Sequence, residues 1–383
     1  MTERLYLQDP YLRSFHARVV ELRDLDGKPA AVLDRSAFYP EGGGQPGDRG
    51  ALGAAQVIDT QERAGEVLHL LDRPLLVGEE IDAQVDWPRR FDHMQQHHGQ
   101  HLLSAAFETL GLQTLSFHLG ERSCTIDLDG PPDLVKAKTA ETKTNESIWR
   151  DLPVVARDFT GEERSKLPLR KEAVKGDRVV VVEGVDASPC GGTHPKRTGE
   201  VGSVSILKVQ RWGDGKSRVE FVCGGRLVSM LAEANAQLSA AAEVLKCAPA
   251  DLATAAARVA AEAQTRRKQA DGLLLELAQQ EALKLKAPLV VTRVERGAAF
   301  ARSVAQALAQ MGSTALLGAV DEGRGHLIFA RPKGAPGAAM GVLLKEALAL
   351  LNGKGGGNPD FAQGSGEPDK LDEALALARS KLV

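Results

Sequence analysis

His97 and His101 stand four residues apart in the run DHMQQHHGQHLLSAAF, and far along the chain Cys190 and His194 flank Gly-Gly-Thr in DASPCGGTHPKRTGE. On a helix, positions i and i+4 share one face, so the first pair presents two imidazoles to one point. The two glycines of the second run permit a tight loop that brings a thiolate and an imidazole to a common point. A fold that uses both must hold one helix against one loop at metal-ligand distance. Thiolate and imidazole donors at tetrahedral reach select Zn2+ over Mg2+ or Ca2+. The expected ligand set is His97, His101, Cys190 and His194. His98 lies off the ligand line, and His93 is read as a residue behind the ligands or on the surface. Four protein ligands usually mean a closed structural zinc, whereas three and a water mean a catalytic one; the spacing leaves both open.

A chain of 383 residues exceeds one ordinary core, so two or three domains are expected. Hydrophobic residues make up 43%, enough for such cores, while 4% aromatic content argues against an aromatic-rich all-β protein. A net charge of −3 announces no bulk affinity for nucleic acid, although local patches can supply one. No apolar run reaches the ~18 residues of a membrane span, and the N-terminus lacks a signal-peptide core. The expectation is a cytoplasmic protein with no membrane partner, whose cysteines are thiols or metal ligands rather than disulfides. Cys124 and Cys223 sit in apolar runs and read as small core residues.

The expected fold class is α+β multidomain, in four parts. Residues 1–87 carry short strands (HARVVEL, PAAVLD, AQVID, EVLHLL) around a Gly-rich loop, FYPEGGGQPGDRG, and read as a small β-barrel. Residues 88–225 read as an α+β zinc-containing domain, with a helix from about Arg89 to Leu110 and strands after it. Residues 226–286 are Ala/Leu/Glu-rich and broken at Pro249. Rows of Leu252, Val259 and Leu273, and of Ala256, Ala263, Ala270 and Leu277, predict a coiled-coil-like helical hairpin there. Residues 287–383 alternate strand and helix and read as a small α/β domain.

RRFDHMQQHHGQHLLSAAF followed by CGGTH resembles the alanyl-tRNA editing domain. Residues 33–50, 114–128 and 169–226 match that family's motifs in order, and NGKGGGNPDFAQGSG resembles the signature of the domain that ends alanyl-tRNA synthetases and DHH-type phosphoesterases. The chain looks like the long form of the freestanding editing proteins. It begins at the editing barrel without a class II ATP-binding domain, so the resemblance implies editing in trans and no amino-acid activation. The implied reaction is ester hydrolysis of mischarged tRNA(Ala), carrying serine or glycine, with Zn2+ as cofactor. Rejecting serine needs a polar site that hydrogen-bonds its hydroxyl. Gln45, Ser36 and His101 are assigned to the chemistry, and Gly43, Gly44, Arg122 and Thr193 to substrate contact. The family often has Thr where Ser36 stands and favours Thr where His98 stands.

Between Lys196 and Arg226, seven Lys/Arg stand against three acids, a patch that Arg89 and Arg90 extend toward tRNA phosphates. GKGGGNPD is read as a loop whose N–H groups cradle a phosphate or as a helix cap with Gly353 at C′. The C-terminal region is also the candidate site of a homodimer contact. The alternative function is a non-catalytic tRNA-binding protein with a structural zinc. A DHH-type phosphoesterase would need a D-H-H triplet where the chain has only Asp92-His93-Met94. Threonyl-tRNA editing fits the C-terminal signature less well.

Overall fold

A computed structural model describes residues 2–25, 27–171 and 177–382. Residues 172–176, inside the third editing-domain motif, lie outside the described residues. The chain divides into two compact units, 1–238 and 239–383, so the fold is α+β and multidomain.

In the first unit, strands β1 (Ser14–Leu25), β2 (Lys28–Leu33), β3 (Gly50–Leu52), β4 (Ala55–Arg63), β5 (Glu66–Leu71) and β6 (Glu80–Val85) close into a barrel of order β1-β2-β5-β4-β3-β6. Alternating burial along β6, with Ile81, Ala83 and Val85 inward, shows why a period-2 pattern suits a strand with one face on a core. Helix α1 (Trp87–Glu108) follows directly. It starts because Asp86 accepts a hydrogen bond from the Arg89 N–H and Pro88 fills the first turn. Beyond it, β7 (Thr114–Leu119), β8 (Cys124–Leu128), helix α2 (Leu134–Trp149), β9 (Val155–Asp158), β10 (Arg178–Val182), β11 (Asp186–Pro189), β12 (Val204–Arg211) and β13 (Ser217–Cys223) build two antiparallel sheets, β12-β13-β8-β7 and β9-β10-β11.

Helix α1 is clamped between these parts, and that clamp positions the site. Leu102, Leu103 and Phe107 enter a core with Cys124, Ile126, Phe221 and Cys223, so both cysteines are the core residues expected. Gly99 lets the helix touch β13: a Cβ there would lie 2.3 Å from the Cys223 sulfur. Gln96 adds two hydrogen bonds to the Cys223 backbone, each 3.0 Å. On the barrel side Arg90 is wholly buried and ion-paired with Asp48, and it donates to the carbonyls of Pro10 and Ala37. The expectation that Arg90 faces tRNA is therefore corrected: it is a strut between helix and barrel.

Helix α3 (Gly224–Leu245) leaves the first unit, and α4 (Leu252–Leu285) follows in the second. The predicted small-residue stripe is not buried as a close-packed hairpin requires. Val259, Leu273 and Leu277 are exposed, and α4 is anchored instead through Ala278 and Ala282, which pack with Phe300 and Val304. Small residues gave the stripe too little apolar area to require a cover. The rest of the second unit comprises β14 (Leu289–Arg293), α5 (Gly297–Gln310), β15 (Thr314–Asp321), β16 (Arg324–Ala330), α6 (Met340–Leu350), β17 (Lys354–Gly357), β18 (Phe361–Gly366) and α7 (Leu371–Ser380). Its sheet runs β14-β15-β16-β18-β17. Of the glycine run predicted as a phosphate-cradling loop or cap, the Gly353 N–H does close α6 on the Leu348 carbonyl at 2.9 Å, with Asn352 rather than Gly353 at the positive-φ position, and Lys354–Gly357 form the exposed edge strand β17. Glycine is needed there for close approach, since a Cβ on Gly355 would sit 2.4 Å from the Gly364 Cα.

Candidate functional site

Helix α1 supplies His97 and His101, and the loop after β11 supplies Cys190 and His194. One ligating atom from each lies within 4.8 Å of all the others. The Cys190 sulfur is 3.4 Å from His97 Nε2 and 3.3 Å from His194 Nε2. Zn–S and Zn–N bonds of about 2.3 and 2.0–2.1 Å put such donors about 3.6 Å apart at a tetrahedral angle, so the set fits that ion. Gly192 makes the approach possible, because a Cβ there would fall 2.3 Å from His97 Cε1.

Each imidazole is held from behind through Nδ1. His97 Nδ1 meets Gln45 Oε1 at 2.8 Å, His101 Nδ1 meets Asp186 Oδ2 at 3.1 Å, and His194 Nδ1 meets His98 Nδ1 at 3.1 Å. With protons on these Nδ1 atoms, all three Nε2 lone pairs face the common point. This is the arrangement that raises ligand basicity and fixes ring orientation at metal sites. Burial alone would push the Cys190 thiol up. The neighbouring His97 and His194 and hydrogen bonds from His101 and His194 outweigh it and hold the group well below its usual value. For His101, burial lowers the imidazole, yet hydrogen bonds to Asp186 and Cys190 raise it to about 9. Burial, only partly offset by the Cys190 thiolate, holds the His194 imidazole down to about 3; a thiolate with three imidazoles around it is a donor set suited to a divalent cation.

The remaining expected residues divide. Gln45 is buried with its carboxamide fully engaged: Oε1 also accepts from the Thr193 N–H at 3.1 Å, and Nε2 donates to Thr193 Oγ1 at 2.7 Å. Gln45 and Thr193 thus join the Gly-rich loop to the Cys-Gly-Gly-Thr-His loop and orient His97. Ser36 is fully buried. Its hydroxyl bonds His69 Nε2 at 2.7 Å and accepts from the Phe38 N–H at 3.1 Å. The expectation that Ser36 offers a hydroxyl to substrate is corrected to a barrel-interior role in this conformation. Gly43 has a positive φ and open space where a Cβ would stand, whereas Gly44, with φ +81, lies against Phe117. A cleft of about 860 Å³ lined by Tyr39, Gly42, Gly43, Arg178, Cys190 and Gly191 leads to the cluster. Arg122, assigned to substrate contact, is exposed in a separate depression with Asp92 and Arg226.

Two functional residues escaped the sequence reading. Asp186, held by Arg170 Nε at 2.8 Å, opens the quoted run DASPCGGTH but was given no role there. Arg178 donates from Nη1 to the carbonyls of Cys190 (2.7 Å) and Gly192 (2.9 Å) and so fixes the loop; a lone Arg opening an apolar strand gave no signal. The expected basic patch is also largely paired internally, with Arg197 on Asp151, Arg218 on Asp127 and Arg226 on Asp92.

This helix-and-loop cluster beside a barrel defines an editing module of the synthetase-associated class. Residues 178–220 match the threonyl and alanyl tRNA synthetase second additional domain, residues 16–89 match tRNA synthetases class II (A), and residues 287–383 match the DHHA1 domain. The chain is 34% identical to alanyl-tRNA editing protein AlaX-L of Pyrococcus horikoshii, with both chains fully covered. It is 31% identical to alanyl-tRNA editing protein Aarsd1 of Rattus norvegicus over 87% of this chain and 83% of that protein. It belongs to the alanyl-tRNA editing protein family. An alanine–tRNA ligase of Halorubrum lacusprofundi is 33% identical over 98% of this chain but only 43% of the ligase.

Proposed function

We infer that this chain is an aminoacyl-tRNA hydrolase that cleaves the ester of mischarged tRNA(Ala), carrying serine or glycine, in trans. The observation that carries the reading is the convergence of four donor atoms within 4.8 Å at the end of a cleft open at Gly43 and Cys190. His97, His101, Cys190 and His194 would hold a zinc ion, which when bound supplies a Lewis acid for a carbonyl or a bound water. The protein's own part is positional. Gln45, Asp186 and His98 set the three imidazoles, Arg178 pins the Cys-Gly-Gly loop, and the glycine face of the loop lets the aminoacyl end approach. Discrimination against alanine rests on polar groups of this cleft, since a site built to bond a hydroxyl rejects the analogue lacking it. Deacylation of Ser-tRNA(Ala) beside Ala-tRNA(Ala) tests the reading.

The four-donor set also suits a closed structural ion, so a non-catalytic tRNA-binding role is the second reading; bound zinc and tRNA without hydrolysis would favour it. The homodimer contact is assigned to the C-terminal region, supported by the exposed edge strand β17, whose unpaired backbone groups suit pairing with a second copy. Sedimentation of the intact chain should show a dimer at micromolar concentration, and a monomer throughout would remove that assignment.

A further inference from the structure

We propose that a cation–aromatic surface at the start of α1 binds the unpaired 3′ strand of the tRNA. This rests on the editing reading and adds a surface that holds its substrate. Three rings form a ladder. Tyr11 and Trp87 lie 5.4 Å apart between centroids, and Trp87 stacks on Phe91, also at 5.4 Å. The Arg13 guanidinium covers the Trp87 ring at 4.2 Å, and Lys196 Nζ covers Tyr11 at 4.5 Å while pairing with Asp9. Trp87 and Arg13 also wall a groove of about 1260 Å³ that takes in Lys28, Arg49, Gln56 and Gln84.

Of the charges here, Lys196 and Arg89 belong to the expected patch, whereas Arg13, Lys28 and Arg49 do not. No carboxylate among the described residues lies within ion-pair distance of Arg13, Lys28, Arg49 or Arg89. Burial and then Arg49, a like charge, weigh most on Arg89. The groove's lining sets Arg13, Lys28 and Arg49 against the carboxylates Asp59 and Asp86, a net charge of +1. A net-negative protein that leaves like charges together unpaired presents a site for a polyanion. Three successive rings flanked by one guanidinium and one ammonium specify one with stacking faces, a single-stranded nucleic acid.

The ladder is also tied to the chemistry. The Tyr11 hydroxyl donates to Glu200 at 2.6 Å and accepts from the Lys196 N–H at 3.0 Å, two residues beyond His194. Along α1, Trp87 stands ten residues, about 15 Å, before the donor His97; the turns between, with Arg90, His93, Met94 and Gln96, are buried, so the donors are reached through the cleft at Gly43 and Cys190.

The test uses the intact zinc-loaded chain and uncharged tRNA(Ala), with dissociation constants measured across salt concentrations. Arg13→Gln/Arg49→Gln/Arg89→Gln should weaken binding at least tenfold and flatten the log–log salt slope by about 2, at roughly 0.7 per lost phosphate contact. As a second readout, Trp149→Phe/Trp212→Phe leaves Trp87 as the emitter, and an oligonucleotide with the tRNA 3′ sequence should quench it. Unchanged affinity and slope in the triple variant overturns the proposal. So does a loss confined to Lys208→Gln/Lys216→Gln, or quenching by poly-aspartate but not by RNA. If the wild type deacylates Ser-tRNA(Ala) while the triple variant binds normally, only this surface falls; if the wild type neither binds nor deacylates, the editing reading falls with it.

Discussion

At the residue scale, the donors and the groups behind them have different energetic roles, and substitution separates them. Cys190→Ala removes a thiolate donor, so zinc content and hydrolysis should be lost together. Asp186→Asn keeps an acceptor for His101 Nδ1 but removes the charge that makes the ring basic, and its partner Arg170 loses a carboxylate. Outer partners of this kind tune metal affinity by about 10–100-fold, so Asp186→Asn should fold, bind zinc more weakly by that factor, and regain activity at saturating zinc. Competition with a chromogenic chelator reads both variants. Full zinc affinity in Cys190→Ala would remove that residue from the site. The donors themselves were legible because their spacing encodes geometry, i to i+4 on a helix and two ligands around Gly-Gly-Thr. Asp186 and Arg178 were not, since a single polar residue at a strand end becomes functional only through what folds against it. Ser36 failed for a related reason. A serine beside a Gly-rich loop looks available, and only the tertiary partner His69 shows that its hydroxyl is engaged.

At the element scale, the site is as accurate as the seating of α1. Arg90 and Asp48 are both fully buried, and removing one member of such a pair leaves an uncompensated charge, typically costing about 3–5 kcal/mol. Arg90→Ala should therefore destabilise the first unit by about that amount in chemical denaturation, whereas Arg90→Met/Asp48→Leu, which removes both charges, should cost less. A loss below about 1 kcal/mol in Arg90→Ala would show that the strut is not needed. The helix itself was readable: a span from about Arg89 to Leu110 was expected and Trp87–Glu108 is found. The exposed α4 stripe and the edge strand at Lys354–Gly357 were misread for opposite reasons. Regular spacing of small residues mimicked a packing seam, and a glycine run mimicked a loop although its backbone pairs with β18 at close approach.

At the scale of the whole molecule, two units carry separate hydrophobic clusters, and only the first contains the donor cluster. A ligand that binds the folded state alone stabilises it by mass action. Calorimetry of the zinc-loaded chain should show two transitions, and chelation should lower the midpoint of one. A uniform shift of both, or of neither, would contradict the assignment of the ion to the first unit. Motifs at both ends of the chain made the α+β, multidomain character legible, because each domain repeats its own local pattern. The free-cation surface was legible only in part. Arg89 was read as a tRNA contact and Arg49 lies in the Gly-rich loop, but nothing in the sequence joined them to Arg13; counting Lys and Arg between 196 and 226 found charge that acids distant in sequence partly neutralise.

The central claim is that the His–Cys cluster serves selective hydrolysis of a mischarged ester. The direct measurement is the rate of deacylation of Ser-tRNA(Ala) and Ala-tRNA(Ala) by the intact chain, with zinc present, removed and restored. The account predicts rapid loss of serine, sparing of alanine, and activity that disappears and returns with the metal. Absence of hydrolysis of either substrate despite bound zinc and bound tRNA would contradict it and leave a tRNA-binding protein with a structural ion.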